Sequence, residues 1–206
     1  MENSKPKGNR AYQEMLQVAV KRLKGRPIEI IAAKSGTTFH CQRGSLEVPS
    51  FHEKIEIQLP DFTASPAMEE WHHLLLLHYL DLADGAEETG HLITFGNLKD
   101  GLIRGTKFDH TADKELEKIL KDKTPEKVEK ACKRLGAEFI ETNADLCASF
   151  RIFPKYPIIL KVWFADDEFP ASGKLFLQDN ADHYLSVEDA VTAGEVLLKK
   201  LDKVLI

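Results

Sequence analysis

Trp71-His72-His73-Leu74-Leu75-Leu76-Leu77-His78-Tyr79-Leu80-Asp81-Leu82 is apolar on most sides of a helix, and a helix with so little polar surface belongs in the centre of a fold. Ser65-Pro66 before it offers a side-chain cap followed by proline at the first helical position, and Gly85 offers a left-handed stop. The sequence therefore predicts a core helix over Ser65–Asp84, around which a sheet wraps.

On the N-terminal side, Tyr12, Met15, Leu16, Ala19, Val20 and Leu23 recur at helical spacing over Arg10–Leu23. A short second helix is predicted over Ile28–Lys34, with Pro27 in its first turn and its end at Ser35-Gly36. The period then changes to two. Thr37–Cys41, Ser45–Val48 and Lys54–Leu59 read as an antiparallel meander with one wet face, turning at Gln42-Arg43-Gly44 and at Pro49-Ser50. On the C-terminal side, His91–Phe95 reads as a strand, and the Gly96/Gly101/Gly105 series as loop, bulge or hairpin. Helices follow at Lys114–Leu120 and Pro125–Leu135, the second capped by Thr124 and closed by Gly136. Glu138–Thr142, Leu146–Phe153, Ile158–Phe164 and Lys174–Gln178 read as strands, the third a nearly continuous apolar run suited to a buried position. Ser186-x-x-Asp189 resembles a capping box opening a final helix whose stripe includes Val187, Ala190, Val191, Leu197, Leu198 and Leu201. The fold class is α+β: a single domain over residues 1–206, its first nine residues disordered, with a mainly antiparallel sheet packed on a central apolar helix and helices flanking it.

Bulk properties narrow the function classes. The chain has 206 residues, 43 % hydrophobic and 30 % charged, which suffices for one core. A net charge of −5 argues against nucleic acid or anionic lipid as partner. The basic residues between Lys5 and Arg26 ride on or flank the first helical pattern, as a solvated helix face would. Cys41, Cys132 and Cys147 are widely spaced and form no C-x-x-C pair, so neither a disulfide framework nor a zinc site is indicated and a reducing cytoplasm fits. No apolar leader and no run of 18 apolar residues is present in the sequence, so export and membrane insertion are not expected. The dinucleotide, P-loop, zincin, serine-hydrolase and EF-hand signatures are all missing.

Two features carry candidate chemistry. At about 100° per residue, His78 lies roughly 120° from His72 and 140° from His73, so the three cannot share a ligand face. His78 falls within about 20° of Trp71 and beside Leu74, Leu75 and Leu82, on an apolar stripe. There it needs a hydrogen-bond partner, or it offers an axial nitrogen to the metal of a tetrapyrrole such as a corrinoid or haem. The pair His72-His73 is assigned to the polar rim. The second feature is Trp163-Phe164-Ala165-Asp166-Asp167-Glu168-Phe169-Pro170, with three carboxylates at the end of an apolar strand. Asp166, Asp167 and Glu168 could hold a hard cation or act as acid and base, and they equally suit a solvated turn.

Leu74–Leu80, Thr89–Phe95 and Trp163–Ala171 together resemble the bacterial and archaeal family catalogued as domain of unknown function 3786, in the same order and over roughly Arg10 to Leu201. The resemblance implies members found largely in anaerobes, some fused to iron–sulfur segments similar to those of corrinoid proteins. It thereby suggests corrinoid or one-carbon metabolism by association. This chain lacks the four closely spaced cysteines of a cluster. The function expected is a non-catalytic binding or accessory protein that takes a small molecule or a partner protein between the core helix and the acidic strand end, with His78, Trp71, Trp163, Asp166, Asp167 and Glu168 as its contacts. The alternative is an enzyme using the acidic turn and His78 as acid, base or cation ligands.

Overall fold

The computed structural model describes residues 10–206, and the disorder expected of the first nine residues lies outside them. Helix α1 (Arg10–Lys24) buries Tyr12, Ala19 and Leu23 and turns its basic residues outward. There Lys24 pairs with Asp61, and Arg22 pairs with Asp81 together with Arg26. Helix α2 (Ile28–Ser35) ends where Gly36 turns left-handed at φ 67° and donates its N–H to the Ala32 carbonyl.

A four-stranded antiparallel meander follows: β1 (Thr38–His40), β2 (Ser45–Ser50), β3 (Glu53–Gln58) and β4 (Thr63–Ser65), in that order. Leu46 faces Ile57 and Val48 faces Ile55, all four buried. The expected turn at Pro49-Ser50 lies two residues further on, at Phe51-His52, with Phe51 at φ 55°. Continuing β2 through Ser50 keeps alternation, with Pro49 outward and Ser50 buried. Strand β1 ends opposite Glu47, so Pro49 owes that neighbour no N–H.

The core helix α3 is shorter than expected, Glu70–Leu82. Ser65 is not its cap, because it is the last residue of β4 and pairs with Glu56. The helix also ends before Gly85, with the Ala83 N–H on the Tyr79 carbonyl. Leu74 to Leu77, Tyr79 and Leu80 are all buried, as a helix that is apolar nearly all round requires.

The C-terminal half builds a second antiparallel sheet where one had been expected. Its strands β5 (Leu92–Ile93), β6 (Glu138–Phe139), β7 (Leu146–Phe153), β8 (Tyr156–Trp163) and β9 (Ser172–Gln178) lie in the order β5-β9-β8-β7-β6. Strands β7 and β8 are buried along most of their length. A Phe51 N–H donated to the Arg151 carbonyl ties the first sheet to the second. The buried apolar side chains of both halves form one cluster, and the molecule is an α+β domain.

The glycine series is no hairpin. Gly101 opens helix α4 (Gly101–Leu120), whose buried stripe is Gly101, Gly105, Phe108, Ala112, Leu116 and Leu120. A Cβ on Gly105 would stand 2.0 Å from the Phe95 carbonyl oxygen, so glycine is needed there for α4 to touch the backbone of Phe95-Gly96. Asp109 locks that contact by accepting the N–H groups of Phe95 and Gly96 at 3.1 and 2.9 Å. Helix α5 (Pro125–Arg134) starts from the Thr124 cap, and α6 (Val187–Leu205) from Ser186, whose Oγ accepts the Asp189 N–H. Among the described residues no helix is long and apolar enough to cross a membrane.

Candidate functional site

Strand β2 carries Ser50 into the interior, and the turn after it brings Phe51 against the first turn of α3. His72 stands there, 6 % exposed, between the rings of Phe51 and Phe153 at 6.1 and 6.0 Å. Ser50 Oγ lies 3.1 Å from its Nε2. Burial, with the charge of Lys200 nearby, pushes the imidazole down to about 4, so the ring is neutral at physiological pH. The sequence had set His72 and His73 on the polar rim, yet neither is there. His73 is half-buried, donates Nε2–H to the Phe62 carbonyl at 2.8 Å and meets the Tyr12 hydroxyl through Nδ1. Burial lowers its pKa as well.

His72 forms part of the floor of a cleft of about 360 Å³, between the Pro66–Glu69 segment and the outer face of α6. Ile55, Met68 and Val196 give it apolar walls, and Lys199, Lys200 and Lys203 stand opposite Glu53 and Glu69. A second lobe of about 380 Å³ shares Glu69, Val196 and Lys199 with the first and extends to Trp71, Thr192 and Glu195, the last of which faces Arg104 at 3.9 Å. Each lobe falls in the volume range of small-molecule sites, roughly 300–1,000 Å³.

The outward face of α3 is the one that carries His78. Trp71 is 39 % and Leu82 43 % exposed, and His78 itself is half-buried. The partner His78 needs is Asp189, which accepts Nδ1–H at 2.8 Å while its other oxygen accepts the Ser186 hydroxyl at 2.7 Å. A carboxylate behind an imidazole also suits a metal-bound histidine, but a macrocycle requires an open apolar slot. Leu74 and Leu75, which would have to line it, are 3 % and 1 % exposed in the closed core. The residues at His78 do not fit a tetrapyrrole. Among the described residues no three His, Cys, Asp or Glu side chains converge as a metal site would require.

The acidic segment is a solvated turn. Asp166 Oδ1 accepts the N–H groups of Glu168 and Phe169, and its own N–H is donated to the Phe169 carbonyl. Those backbone donors hold the Asp166 carboxyl below its ordinary value. Asp167 and Glu168 are exposed, and Trp163 closes β8 at 36 % exposure. The flanks of the turn, Ala165 and Pro170, border a cleft with the C-terminal end of α4, near Leu120. Arg104 at the other end of α4 pairs with Glu188, the neighbour of Asp189. From Arg104 to Leu120 the helix rises about 24 Å, so His78 and the acidic turn sit at opposite ends of α4 and do not form one site. Of the six expected contacts, only Trp71 lies on the cleft.

The family model described as Domain of unknown function (DUF3786) matches residues 27–200, which span both sheets, the cleft and most of α6. The chain belongs to that family. No curated protein and no solved structure matches it. Within the DUF3786 match lie His72, Ser50, Lys199 and Lys200, whereas Lys203 falls just beyond it.

The sequence reading missed His72 and the α6 lysines. A signal for His72 was present, since His72, Leu75, Leu76 and Tyr79 are spaced i, i+3, i+4, i+7 and form a buried stripe of α3, none above 6 % exposed. The lysines had none, because they meet the cleft only through the packing of α6.

Proposed function

We propose that this DUF3786 chain is a non-catalytic binding protein that takes a small molecule in the cleft between Pro66–His72 and α6. One observation carries the reading: a buried, neutral imidazole at the floor of an open cleft, with Nε2 engaged by Ser50 and no partner for Nδ1 among the described residues. Nδ1 is not among the sealed, unpaired polar atoms of the described residues, which are His40 Nε2, Tyr156 Oη and Gln178 Oε1; it is open to the cleft, where a ligand would match it. The surrounding groups are lysines, glutamates and aliphatic side chains, which hold and orient a molecule by charge, hydrogen bonding and contact. The test is a fragment screen followed by 1H–15N and methyl NMR. Hits should shift Met68, His72, Val196 and Lys200 together. Hits that map only to other surfaces, such as the cleft beside Pro170, or a screen with no hit, would refute the reading.

A further inference from the structure

We propose that the ligand of this cleft is an organic anion, with its acidic head among Lys200, Lys203 and Nδ1 of His72 and its apolar body along Met68 and Val196 towards Trp71. The proposal rests on the reading that the cleft is a binding site, and it names the ligand's chemical class.

Charge comes first. The His72 lobe gathers three lysines against two glutamates in a chain whose net charge is −5. Of the three, Lys199 faces Glu69 at 4.0 Å. Lys200 and Lys203, like most lysines of the described residues, have no carboxylate within 4.0 Å, and unlike the others they stand at this cleft. The Lys200 ammonium is held over the Phe51 ring at 5.0 Å, beside the imidazole. With Glu53 on the same lobe, one positive charge remains in excess there, which favours an anion.

The hydrogen-bond pattern accommodates the same ligand. The Ser50 contact suits either neutral tautomer; where the hydroxyl donates to Nε2, the ring carries its proton on Nδ1 and is a donor there. A carboxylate or phosphate oxygen accepts that proton, but an ammonium cannot. The second lobe shares the Val196 and Lys199 wall with the first and ends at the partly exposed indole of Trp71, itself set edge-on to Tyr12 at 6.1 Å. A bare inorganic anion would fill only the His72 lobe. An apolar or aromatic extension uses both.

The full chain carrying Trp163→Phe leaves Trp71 as its single indole, which makes its fluorescence a reporter for the second lobe. The probes are 3-phenylpropionate, phenyl phosphate, 3-phenylpropionamide and 3-phenylpropylamine, each titrated with Trp71 emission and His72 15N NMR as readouts. The two anions are expected to bind at least tenfold more tightly than the amide and amine, to fix His72 as the Nδ1–H tautomer, and to weaken with added salt. Lys200→Gln combined with Lys203→Gln should cost the anions about tenfold and leave the amide unchanged. Both side chains are at least partly exposed, so the variant is expected to fold, and its thermal unfolding checks that. Equal affinity for anion and amide with shifts still in the cleft would overturn the anion assignment and leave the binding reading standing. If no probe binds, or the anions bind with shifts elsewhere, the assignment fails outright, and a fragment of another class shifting the cleft residues would show that the binding reading had not failed with it.

Discussion

Gly105→Ala tests whether the contact between α4 and the Phe95-Gly96 backbone is what holds the N-terminal end of α4. Taken as an isolated helix position, the change should stabilise, since alanine is favoured over glycine by about 1 kcal/mol in a helix interior. The structure predicts the opposite. The new Cβ would meet the Phe95 carbonyl oxygen at 2.0 Å, its carbon at 2.4 Å and the Gly96 nitrogen at 2.8 Å. These are backbone atoms, which cannot rotate away, so α4 must back off by more than an ångström. Overpacking of this kind costs about 1–3 kcal/mol. Retreat also stretches the two hydrogen bonds from Phe95 and Gly96 to Asp109, each worth roughly 1.5–3 kcal/mol to a charged acceptor. Against the propensity gain, the net loss is about 3–5 kcal/mol. For a domain of this size that is a fall in Tm of roughly 10 °C. Thermal and urea unfolding followed by circular dichroism measure it. A parallel Gly194→Ala, whose Cβ meets ring atoms alone, Phe108 at 2.4 and 2.6 Å and Phe95 at 3.3 Å, should cost less because a ring can shift. A Gly105→Ala protein at least as stable as the parent would refute the reasoning.

Three further outcomes follow from the same geometry. Because His72 titrates near 4 when folded against 6.5 when exposed, the unfolded state binds the extra proton first; stability should fall as pH drops from about 6.5 to 4, by about 3 kcal/mol for this group. Urea midpoints across that range should show a shallower loss for His72→Gln, and equal slopes would contradict the assignment. Tyr79→Phe removes a hydroxyl that donates to the Ser35 carbonyl and accepts the Lys155 N–H at 3.0 Å; unfolding should show a loss of about 1–3 kcal/mol from the unpaired groups left behind. Asp167→Asn combined with Glu168→Gln, on the exposed turn, should leave stability within about 0.5 kcal/mol, whereas Asp166→Ala, which takes away the acceptor of two backbone N–H groups, should be measurably worse in the same assay.

Where local chemistry decides the structure, the sequence was legible to within a few residues. The Gly36 stop, the Thr124 and Ser186 caps and strand Leu146–Phe153 are set by neighbours along the chain, and they stand where capping and alternation rules put them. The failures occur where a residue is used by something distant. Ser65-Pro66 has the chemistry of a helix start, but pairing with Glu56 claims Ser65 for a strand. Gly96, Gly101 and Gly105 read as breakers because glycine weakens a helix, whereas Gly101 and Gly105 admit the Phe95-Gly96 backbone and Gly96 leaves room for the Thr106 and Asp109 side chains. Counting them as buried positions would have revealed α4, since Gly101, Gly105, Phe108, Ala112 and Leu116 keep steps of three and four. Leu102 and Ile103 obscured that stripe, being apolar yet 80 % and 83 % exposed.

The site was harder to read than the fold for a related reason. The helical wheel correctly separated His72 from His78, but choosing which of the two faces inward needed knowledge of what packs on each side. Proximity to Trp71 favoured His78, because large aromatic rings are usually taken as core. Here Trp71 is held at the surface by Tyr12 of α1, and the inward face is the one that Phe51, Ser50 and Phe153 close upon. The deciding contact to His72 thus comes from a strand end 22 residues earlier, and the lysines above it from a helix more than a hundred residues later. A cleft assembled from segments this far apart in the chain leaves no contiguous motif in the sequence. What it does leave is a polar side chain on an otherwise apolar stripe, and in α3 that stripe was His72, Leu75, Leu76 and Tyr79.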